Sequence, residues 1–194
     1  IATTFALAAI VCALRGKEDW RWAILAGPAA GMGVLVRPTQ ALLFPAVLIA
    51  MRLQPRALLA LGAGGLPFAI AQGAISQHLY GNPVTTGYGG IGYLLSLENF
   101  PIRFRHYSYW LAALGTPVLF PGGAAVWFTG LTNRWNRGML AMWFLPFFLF
   151  YCFYAPYETW WYTRFLLPAV PALIAGALLF LHRIRVAGAV LALA

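Results

Sequence analysis

Short basic clusters separated by pairs of apolar runs are the feature that most constrains this chain. Nine of its thirteen basic residues fall into four such clusters, Arg15/Lys17/Arg21, Arg52/Arg56, Arg134/Arg137 and Arg183/Arg185. This alternation is typical of a polytopic helical membrane protein whose basic loops stay in the cytoplasm. We therefore predict an all-α transmembrane bundle with cytoplasmic loops at 15–21, 52–56, 133–137 and 182–185.

The composition supports a membrane domain over a soluble one. The chain is 62% hydrophobic and 9% charged, whereas soluble domains carry about 25% charged residues. A net charge of +9 could indicate nucleic acid, but the basic residues form no continuous face with interleaved aromatic residues. We expect a lipid bilayer and no nucleic acid as a partner. Arginine outnumbers lysine twelve to one, which suggests a GC-rich bacterial genome and hence the bacterial inner membrane.

The apolar runs predict seven or eight membrane segments in one domain, 1–194. Their expected ranges are 1–14, 22–36, 38–51, 58–79, 109–132, 139–155, 165–181 and 186–194. Segments 22–36 and 38–51 are short for a bilayer core of about 30 Å, so they form either two short spans or one re-entrant hairpin. Gly27 and Gly31 lie four residues apart and should let two helices approach closely. Because apolar runs open and close the chain, we expect an internal fragment truncated at both ends.

The sequence Val36-Arg37-Pro38-Thr39 predicts a helix break beside a fixed positive charge. Pro38 disfavours helical backbone at Arg37 and suits the first turn of the next helix. The amides of Thr39, Gln40 and Ala41 would then face the same point as the guanidinium, which is an arrangement that binds anions. The alternative is an arginine that extends to the outer headgroups. Charge within a membrane is usually functional, which favours the first interpretation.

A second candidate site lies before the seventh predicted span, in residues 157–171. It contains Glu158, Tyr162 and Arg164. Pro168 cannot donate to the carbonyl of Arg164, so we expect a kinked segment with free acceptors beside a charge. Glu158 and Arg164 are six residues apart, which is not a pairing distance on a helix face. The alternative is an aromatic belt with one weak salt bridge at its rim.

A long outer loop at residues 80–108 is the third candidate. It opens with Tyr-Gly-Asn-Pro-Val-Thr-Thr-Gly-Tyr and reaches Tyr88, and its glycine, proline and asparagine residues mark turns. At about 28 residues it is long enough to be functional. Its second half carries Arg103 and Arg105 among aromatic residues, which predicts an interfacial segment in contact with lipid headgroups.

Several kinds of chemistry lack their residues on the predicted outer side. Glu98 and Glu158 are the acidic residues there, and the sequence has no Ser/His/Asp arrangement or phosphate-binding glycine loop. Cys12 and Cys152 lie within apolar runs and suggest neither a disulfide nor a metal site. A general base on this side would be either Glu158 or a residue outside this chain, and we favour the second. We therefore predict no catalytic residue and no metal site within this chain. No cofactor is evident, although assistance by a divalent cation is left open.

Three motifs occur in a characteristic order along the chain. R-P-T lies between two short apolar runs, Y-G-N-P-V-T-T-G-Y follows a span, and Y-T-R-F-L-L-P-A-V-P-A-L opens a later one. From about Gly16 to Arg185 the chain thus resembles the polytopic glycosyltransferases of the C-type fold, family 39 and the lipid A aminoarabinose transferases. The resemblance implies an enzyme that moves a sugar from a polyprenyl-phosphate carrier to a protein, lipid or glycan acceptor at the outer face. It also implies that the catalytic carboxylates lie upstream of Ile1.

The same resemblance implies that Arg37 and Arg164 face the cavity for the lipid phosphate, with Glu158, Tyr162 and Tyr88 as further candidates for binding the donor. Electrostatics agrees, because a phosphate leaving group needs fixed positive charge where negative charge develops. Two alternatives stay open, a secondary transporter and a non-catalytic membrane module of envelope polysaccharide assembly. Transporters also use broken helices, but the acidic residues of this chain all fall in predicted loops.

Overall fold

The computed structural model describes residues 1–85, 95–154 and 160–193, and the regular elements within those ranges are all helices. The all-α prediction is therefore confirmed. The α-helices are α1 (Ala2–Gly16), α2 (Arg21–Val36), α3 (Phe44–Ala50), α4 (Pro55–Tyr80), α5 (Asn99–Phe128), α6 (Arg134–Phe153) and α7 (Val170–Leu193). Two 3₁₀-helices, Pro38–Leu43 and Trp160–Leu166, precede α3 and α7.

The predicted helix break at Arg37 is confirmed. Arg37 has extended backbone angles, φ −156° and ψ 111°, and Pro38 is the first residue of the first 3₁₀-helix. The steric demand of the proline ring on the preceding residue explains this geometry. The Arg37 N–H still donates to the carbonyl of Gly33 at 2.9 Å, so α2 closes its last turn at the break. The chain then returns through α3, which packs against α1 and α6.

Glycine lets α2 and α4 pack with their backbones in contact. A Cβ atom on Gly27 would lie 2.6 Å from the carbonyl carbon of Gly64, and one on Gly31 would lie 2.5 Å from Cβ of Phe68. The close approach predicted from the spacing of Gly27 and Gly31 is thus confirmed. A second contact of this kind joins α5 to α7, where a Cβ on Gly176 would lie 2.5 Å from the carbonyl oxygen of Gly123.

Three of the four basic clusters lie at one end of the molecule, which we call the basic end. The side chain of Gln54 donates to the carbonyl of Lys17 at 3.1 Å and so joins the turns near 15–21 and 52–56. A Cβ on Gly138, one residue beyond Arg137, would lie 3.6 Å from Ile49. The break at Arg37 and the last turn of α6 meet at the opposite end, because the Tyr151 hydroxyl donates to Thr39 Oγ1.

Two predicted boundaries are wrong. The loop at 182–185 and the separate segment 186–194 do not exist as such, because α7 runs continuously from Val170 to Leu193. Arginine is a good helix former, so two arginines do not end a helix. The predicted outer loop does not extend to residue 108, because α5 begins at Asn99. The halves of α5, Asn99–Gly115 and Phe120–Phe128, meet at an angle of 111°.

The expected seven or eight crossings are not confirmed. Within the described ranges, α4 is the one helix that is long and apolar enough to cross a membrane unaided, and α5 qualifies only if its two bent halves count as one span. The helices Ala2–Gly16, Arg21–Val36, Pro38–Ala50 and Val170–Ile184 are apolar but shorter. One or two such helices are weak evidence of membrane insertion by themselves.

The core is built around α6. Trp143, Phe144, Phe147, Phe148 and Tyr151 are each at most 4% exposed and lie at helical spacing on its inner face. The Trp143 indole donates to the carbonyl of Pro168 at 2.9 Å. This bond fixes the turn before α7 against α6, and it therefore helps to hold the second 3₁₀-helix beside the break at Arg37.

Candidate functional site

The Arg37 guanidinium lies against two aromatic rings from distant parts of the chain. Its Cζ atom is 4.4 Å from the ring centroid of Phe165 and 5.6 Å from that of Tyr151. The two rings stack on each other with centroids 5.2 Å apart and an interplanar angle of 21°. Cation–π contacts at such distances hold a guanidinium in place. The R-P-T and Y-T-R-F motifs therefore meet in space.

A hydrogen bond fixes the Tyr151 ring at this meeting point. The Tyr151 hydroxyl donates to Thr39 Oγ1 at 3.0 Å, and the Tyr151 side chain is 2% exposed. A buried hydroxyl that found no partner would cost about 1–3 kcal/mol. The bond therefore orients the first 3₁₀-helix relative to α6 and, with it, the base of the Arg37 side chain.

Arg164 approaches the same ring from the second 3₁₀-helix. Its Cζ atom is 5.6 Å from the Phe165 centroid, and its side chain is exposed. The Cζ atoms of Arg37 and Arg164 can thus be at most 10.0 Å apart, the sum of their distances to that centroid. Both guanidinium groups therefore contact the same aromatic ring, and the two motifs bring two cations to one side chain. We call Arg37, Thr39, Tyr151, Arg164 and Phe165 the arginine site.

Arg37 has its hydrogen-bonding capacity available. Among the described residues, no carboxylate lies within 4.0 Å of its guanidinium and no group accepts a hydrogen bond from it. Its two ring contacts use none of its N–H donors. The side chain is half-buried, so part of its hydration has been replaced by aromatic surface. A partly desolvated arginine with free donors is well suited to bind a phosphate or carboxylate.

Two backbone details of the prediction are wrong. The amide of Gln40 is not free for a ligand, because it donates to the carbonyl of Arg37 at 2.8 Å. The carbonyl of Arg164 is not a free acceptor, because it accepts from Leu167 N–H at 3.3 Å. Both corrections have one cause: 3₁₀ turns form bonds over three residues and capture groups that an α-helix end leaves open. The side chains, rather than backbone amides, therefore define the site.

Three predicted site residues cannot be compared with this geometry. Tyr88 and Glu158 lie outside the described residues. Tyr162 belongs by its backbone to the second 3₁₀-helix, but its side chain is likewise outside the described part. Any pairing of Glu158 with Arg164 therefore stays a prediction.

Sequence reasoning missed one charged residue. Arg103 was assigned to lipid headgroups, but it is 2% exposed, whereas Arg105 is exposed. A signal was present, because residues 100, 103, 104, 107 and 111 follow the spacing of one helix face. That face packs on α6, with the rings of Phe104 and Phe148 5.6 Å apart. The position of Arg103 on this helix face therefore predicts that its side chain is buried, whereas its charge alone wrongly predicted that it is exposed.

An apolar groove of about 500 Å³ runs between α2, α3 and α4. Gly31 and Gly62 contribute to its walls, together with Val34 and Ala41, which flank Arg37 in the sequence. Pro83 closes one part of the groove, since the chain reverses at Gly81 (φ 70°) after the end of α4. The lining of the groove is mainly apolar, with Gln72 as a polar member, and it would accept a hydrocarbon chain.

The described residues contain no group of three or more His, Cys, Asp or Glu side chains that could hold a metal ion. Oxygen ligands from elsewhere would be needed to bind one.

No protein-family model, curated protein or solved structure matches the chain. The resemblance to the C-type glycosyltransferases therefore rests on the three sequence motifs. The structural features that indicate a function are the arginine site, the groove and the exposed apolar surface.

Proposed function

We propose that this chain is the middle part of a polytopic membrane glycosyltransferase. The enzyme takes a sugar from a polyprenyl-phosphate carrier and passes it to a protein, lipid or glycan acceptor at the outer face of the bacterial inner membrane. The observation that carries the proposal is the Arg37 guanidinium, held against rings of α6 and the second 3₁₀-helix, where none of the described residues accepts a hydrogen bond from it. The basic end is then cytoplasmic, as short basic loops usually are.

The surface of α4 supports a membrane location. Only 11% of its apolar stretch is buried, and Leu59, Leu66, Ile70 and Leu79 are between 58% and 75% exposed. A soluble monomer rarely exposes so much contiguous apolar surface. With 26 residues at about 1.5 Å each, α4 is long enough to cross a hydrocarbon core of about 30 Å.

The depth of the helix break supports a headgroup site. Gly31 meets Phe68, after which α2 runs on to Val36 and α4 to Tyr80. At about 1.5 Å per residue, Arg37 lies about 10 Å short of the end of α4. If α4, about 39 Å long, is centred on a hydrocarbon core of about 30 Å, Arg37 lies about 5 Å inside the edge of the core. From there a long arginine side chain extends toward the phosphate groups. A broken helix at that depth needs a protein or water cavity around it.

The chemistry of the site fits a phosphate leaving group. An arginine binds phosphate oxygens through charge-assisted hydrogen bonds, each stabilising by about 1.5–3 kcal/mol. The same bonds strengthen when the bond to the sugar breaks and the phosphate gains negative charge. The groove beside α2 and α4 would hold the carrier's hydrocarbon chain. The base that activates the acceptor is expected from the first outer loop, upstream of Ile1.

The test is binding of a polyprenyl phosphate to the chain in lipid nanodiscs. We expect Arg37→Ala to weaken binding by about tenfold or more, because one charge-assisted interaction is lost. The affinity of Arg37→Lys should lie between those of the wild type and Arg37→Ala, since lysine keeps the positive charge but lacks the planar guanidinium. Arg56→Ala is the matched control, because Arg56 is exposed at the basic end. Equal affinity of wild type and Arg37→Ala, or equal binding of polyprenol and its phosphate, would overturn the proposal.

A further inference from the structure

The side chain of Gln40 is buried without a hydrogen-bond partner. It is 3% exposed, and neither its Oε1 nor its Nε2 atom finds a partner among the described residues. The other glutamines of the chain, Gln54, Gln72 and Gln77, are less buried, yet the side-chain amide of each donates a hydrogen bond. Burying an amide that makes no hydrogen bond destabilises a fold. The amide of Gln40 therefore indicates a partner from outside the described residues.

Gln40 belongs to the turn that positions the arginine site. Its backbone N–H donates to the carbonyl of Arg37 at 2.8 Å, and a turn closed in this way brings the two Cα atoms within about 7 Å of each other. Successive residues of a 3₁₀-helix point about 120° apart. Thr39 accordingly faces α6, and Ala41 faces the groove. The side chain of Gln40 takes the third direction, with Cβ and Cγ each 3.6 Å from the position of a Cβ on Gly33.

The helix that carries Gln40 is of a kind that shifts readily. Pro38–Leu43 is a 3₁₀-helix of six residues, whereas such helices seldom exceed about three or four residues because their hydrogen bonds are poorly aligned. Glutamine also has one of the more flexible side chains, and Gly33 places no side chain against its stem. A rotation of this side chain, or a small shift of the helix, can therefore carry the amide toward Arg37.

The chemistry of a carboxamide limits what the partner can be. The Gln40 amide offers N–H donors and one carbonyl acceptor. A phosphate without a proton accepts hydrogen bonds but donates none, so it would leave Oε1 unbonded. Neighbouring hydroxyl groups both donate and accept. In a polyprenyl phosphosugar, the ring that carries such hydroxyls is bonded directly to the phosphate that Arg37 binds under the proposed function.

We infer that Gln40 recognises the sugar of the donor. Its carboxamide leaves the enclosed position and bonds hydroxyl groups of the sugar while Arg37 holds the phosphate. This inference rests on the proposed function and adds a residue that distinguishes the sugar. Because the amide gives up no hydrogen bond within the described chain, the new bonds are a net gain. A site that bonds a ligand hydroxyl in this way discriminates strongly against a ligand that lacks it.

The test compares Gln40→Met with the wild type, because methionine is similar in length but has no amide. The probes are polyprenyl phosphate and its glucosyl, galactosyl and mannosyl derivatives, each bound to the chain in lipid nanodiscs. Gln40→Met should bind polyprenyl phosphate as the wild type does, and at least one of the three phosphosugars about tenfold more weakly. Without ligand, its Tm in detergent should rise by about 2–4 °C, because the unbonded amide is gone.

Gln54→Met is the matched control. The Gln54 amide already donates to the carbonyl of Lys17 at the basic end, so the Tm should not rise and none of the four affinities should change. A rise in Tm of the same size in both variants would show that the gain comes from methionine itself, which would contradict an unbonded amide at Gln40.

The outcomes separate this inference from the proposed function. The inference is wrong if Gln40→Met leaves all four affinities unchanged, weakens polyprenyl phosphate as much as the phosphosugars, or lowers the Tm without ligand. It is also wrong if the wild type binds polyprenyl phosphate but no phosphosugar. In each of these cases the proposed function stands, provided that Arg37→Ala still weakens binding of polyprenyl phosphate. If the wild type binds none of the four probes, both are overturned.

Discussion

Several arginines at the two ends of the molecule differ in their surroundings. At the basic end, Arg52 and Arg56 are exposed, and Arg134 contacts the ring of Trp135 one residue away. At the opposite end, Arg37 contacts rings more than a hundred residues distant in sequence, and Arg103 is buried. Both ends carry more basic than acidic residues, so the sign of the charge does not distinguish them. The tertiary neighbours of the arginines do distinguish the two ends. They suggest that the arginines of the basic end determine the orientation in the membrane and that those of the other end bind a ligand.

The contacts at the basic end are of a kind that contributes little to stability or chemistry. Lys17 and Glu18 form an ion pair of 3.3 Å between partly and largely exposed side chains, and such pairs contribute about 0–1 kcal/mol. Gln54 bonds a backbone carbonyl, which ties two turns together. Nothing in this arrangement gathers donors toward a common point.

We expect the largest difference between the two ends when the aromatic ring that contacts an arginine is removed at each end. Phe165→Ala deletes the ring shared by Arg37 and Arg164 and stacked on Tyr151. We expect a loss of about 2–4 kcal/mol in unfolding free energy, toward the lower part of the range for buried aromatic residues, and at least about tenfold weaker binding of a polyprenyl phosphate. Unfolding in detergent and binding in nanodiscs measure the two effects.

Trp135→Ala is the matched change at the basic end, since Trp135 lies 5.6 Å from Arg134 and is also half-buried. It should leave the affinity for the polyprenyl phosphate unchanged. If both variants reduced that affinity equally, the two ends would not differ in the way proposed.

The sequence predicted local features of the site well. The break at Arg37 follows from the proline beside it, because that steric effect needs no tertiary context. The contact through Gly27 also follows from a local spacing, since small residues on one face remove the barrier to close packing. The resemblance implied that Arg37 and Arg164 face one cavity. The structure brings both to Phe165, and the shared cavity stays a prediction.

Features that depend on a partner element were not predictable in the same way. Arg103 was assigned to lipid because its segment is rich in arginine and aromatic residues, yet the packing of α5 on α6 decides which face is buried. The continuity of α7 through Arg183 was missed because a charge was taken as a loop marker. The hydrogen bond from the Gln40 amide to the Arg37 carbonyl was missed because the sequence does not distinguish a 3₁₀ turn from the start of an α-helix.

Removing the hydrogen bond between Tyr151 and Thr39 should reduce the unfolding free energy by an intermediate amount. Tyr151→Phe keeps the ring but removes the donor, and we expect a loss of about 1 kcal/mol in unfolding free energy. Thr39→Val should cost a similar amount, and the double variant should cost less than the two added together. Gln54→Ala at the basic end removes an exposed hydrogen bond and should cost less than either. Strict additivity of Tyr151→Phe and Thr39→Val would contradict a direct bond.

Filling the groove tests whether the arginine site and the hydrocarbon channel work together. Gly62 lines the groove, and a Cβ added there would meet nothing within 4 Å. Gly62→Leu should therefore be tolerated by the fold while weakening binding of a long polyprenyl phosphate several-fold, by loss of buried apolar area. Binding of inorganic phosphate should not change. Ala63→Leu is the control, because Ala63 is exposed on the same helix and lies outside the groove.

The smallest effect is expected from the ion pair at the basic end. Lys17→Ala removes an attraction between Lys17 and Glu18 that water and salt screen, so the free energy of unfolding should change by less than about 0.5 kcal/mol. Raising the salt concentration should reduce even this difference, because screening shortens the range of exposed charges. A change in polyprenyl-phosphate affinity in Lys17→Ala, measured beside Arg37→Ala, would instead link the basic end to the site. The distinction between ligand-binding arginines at one end and orienting arginines at the basic end would then be wrong.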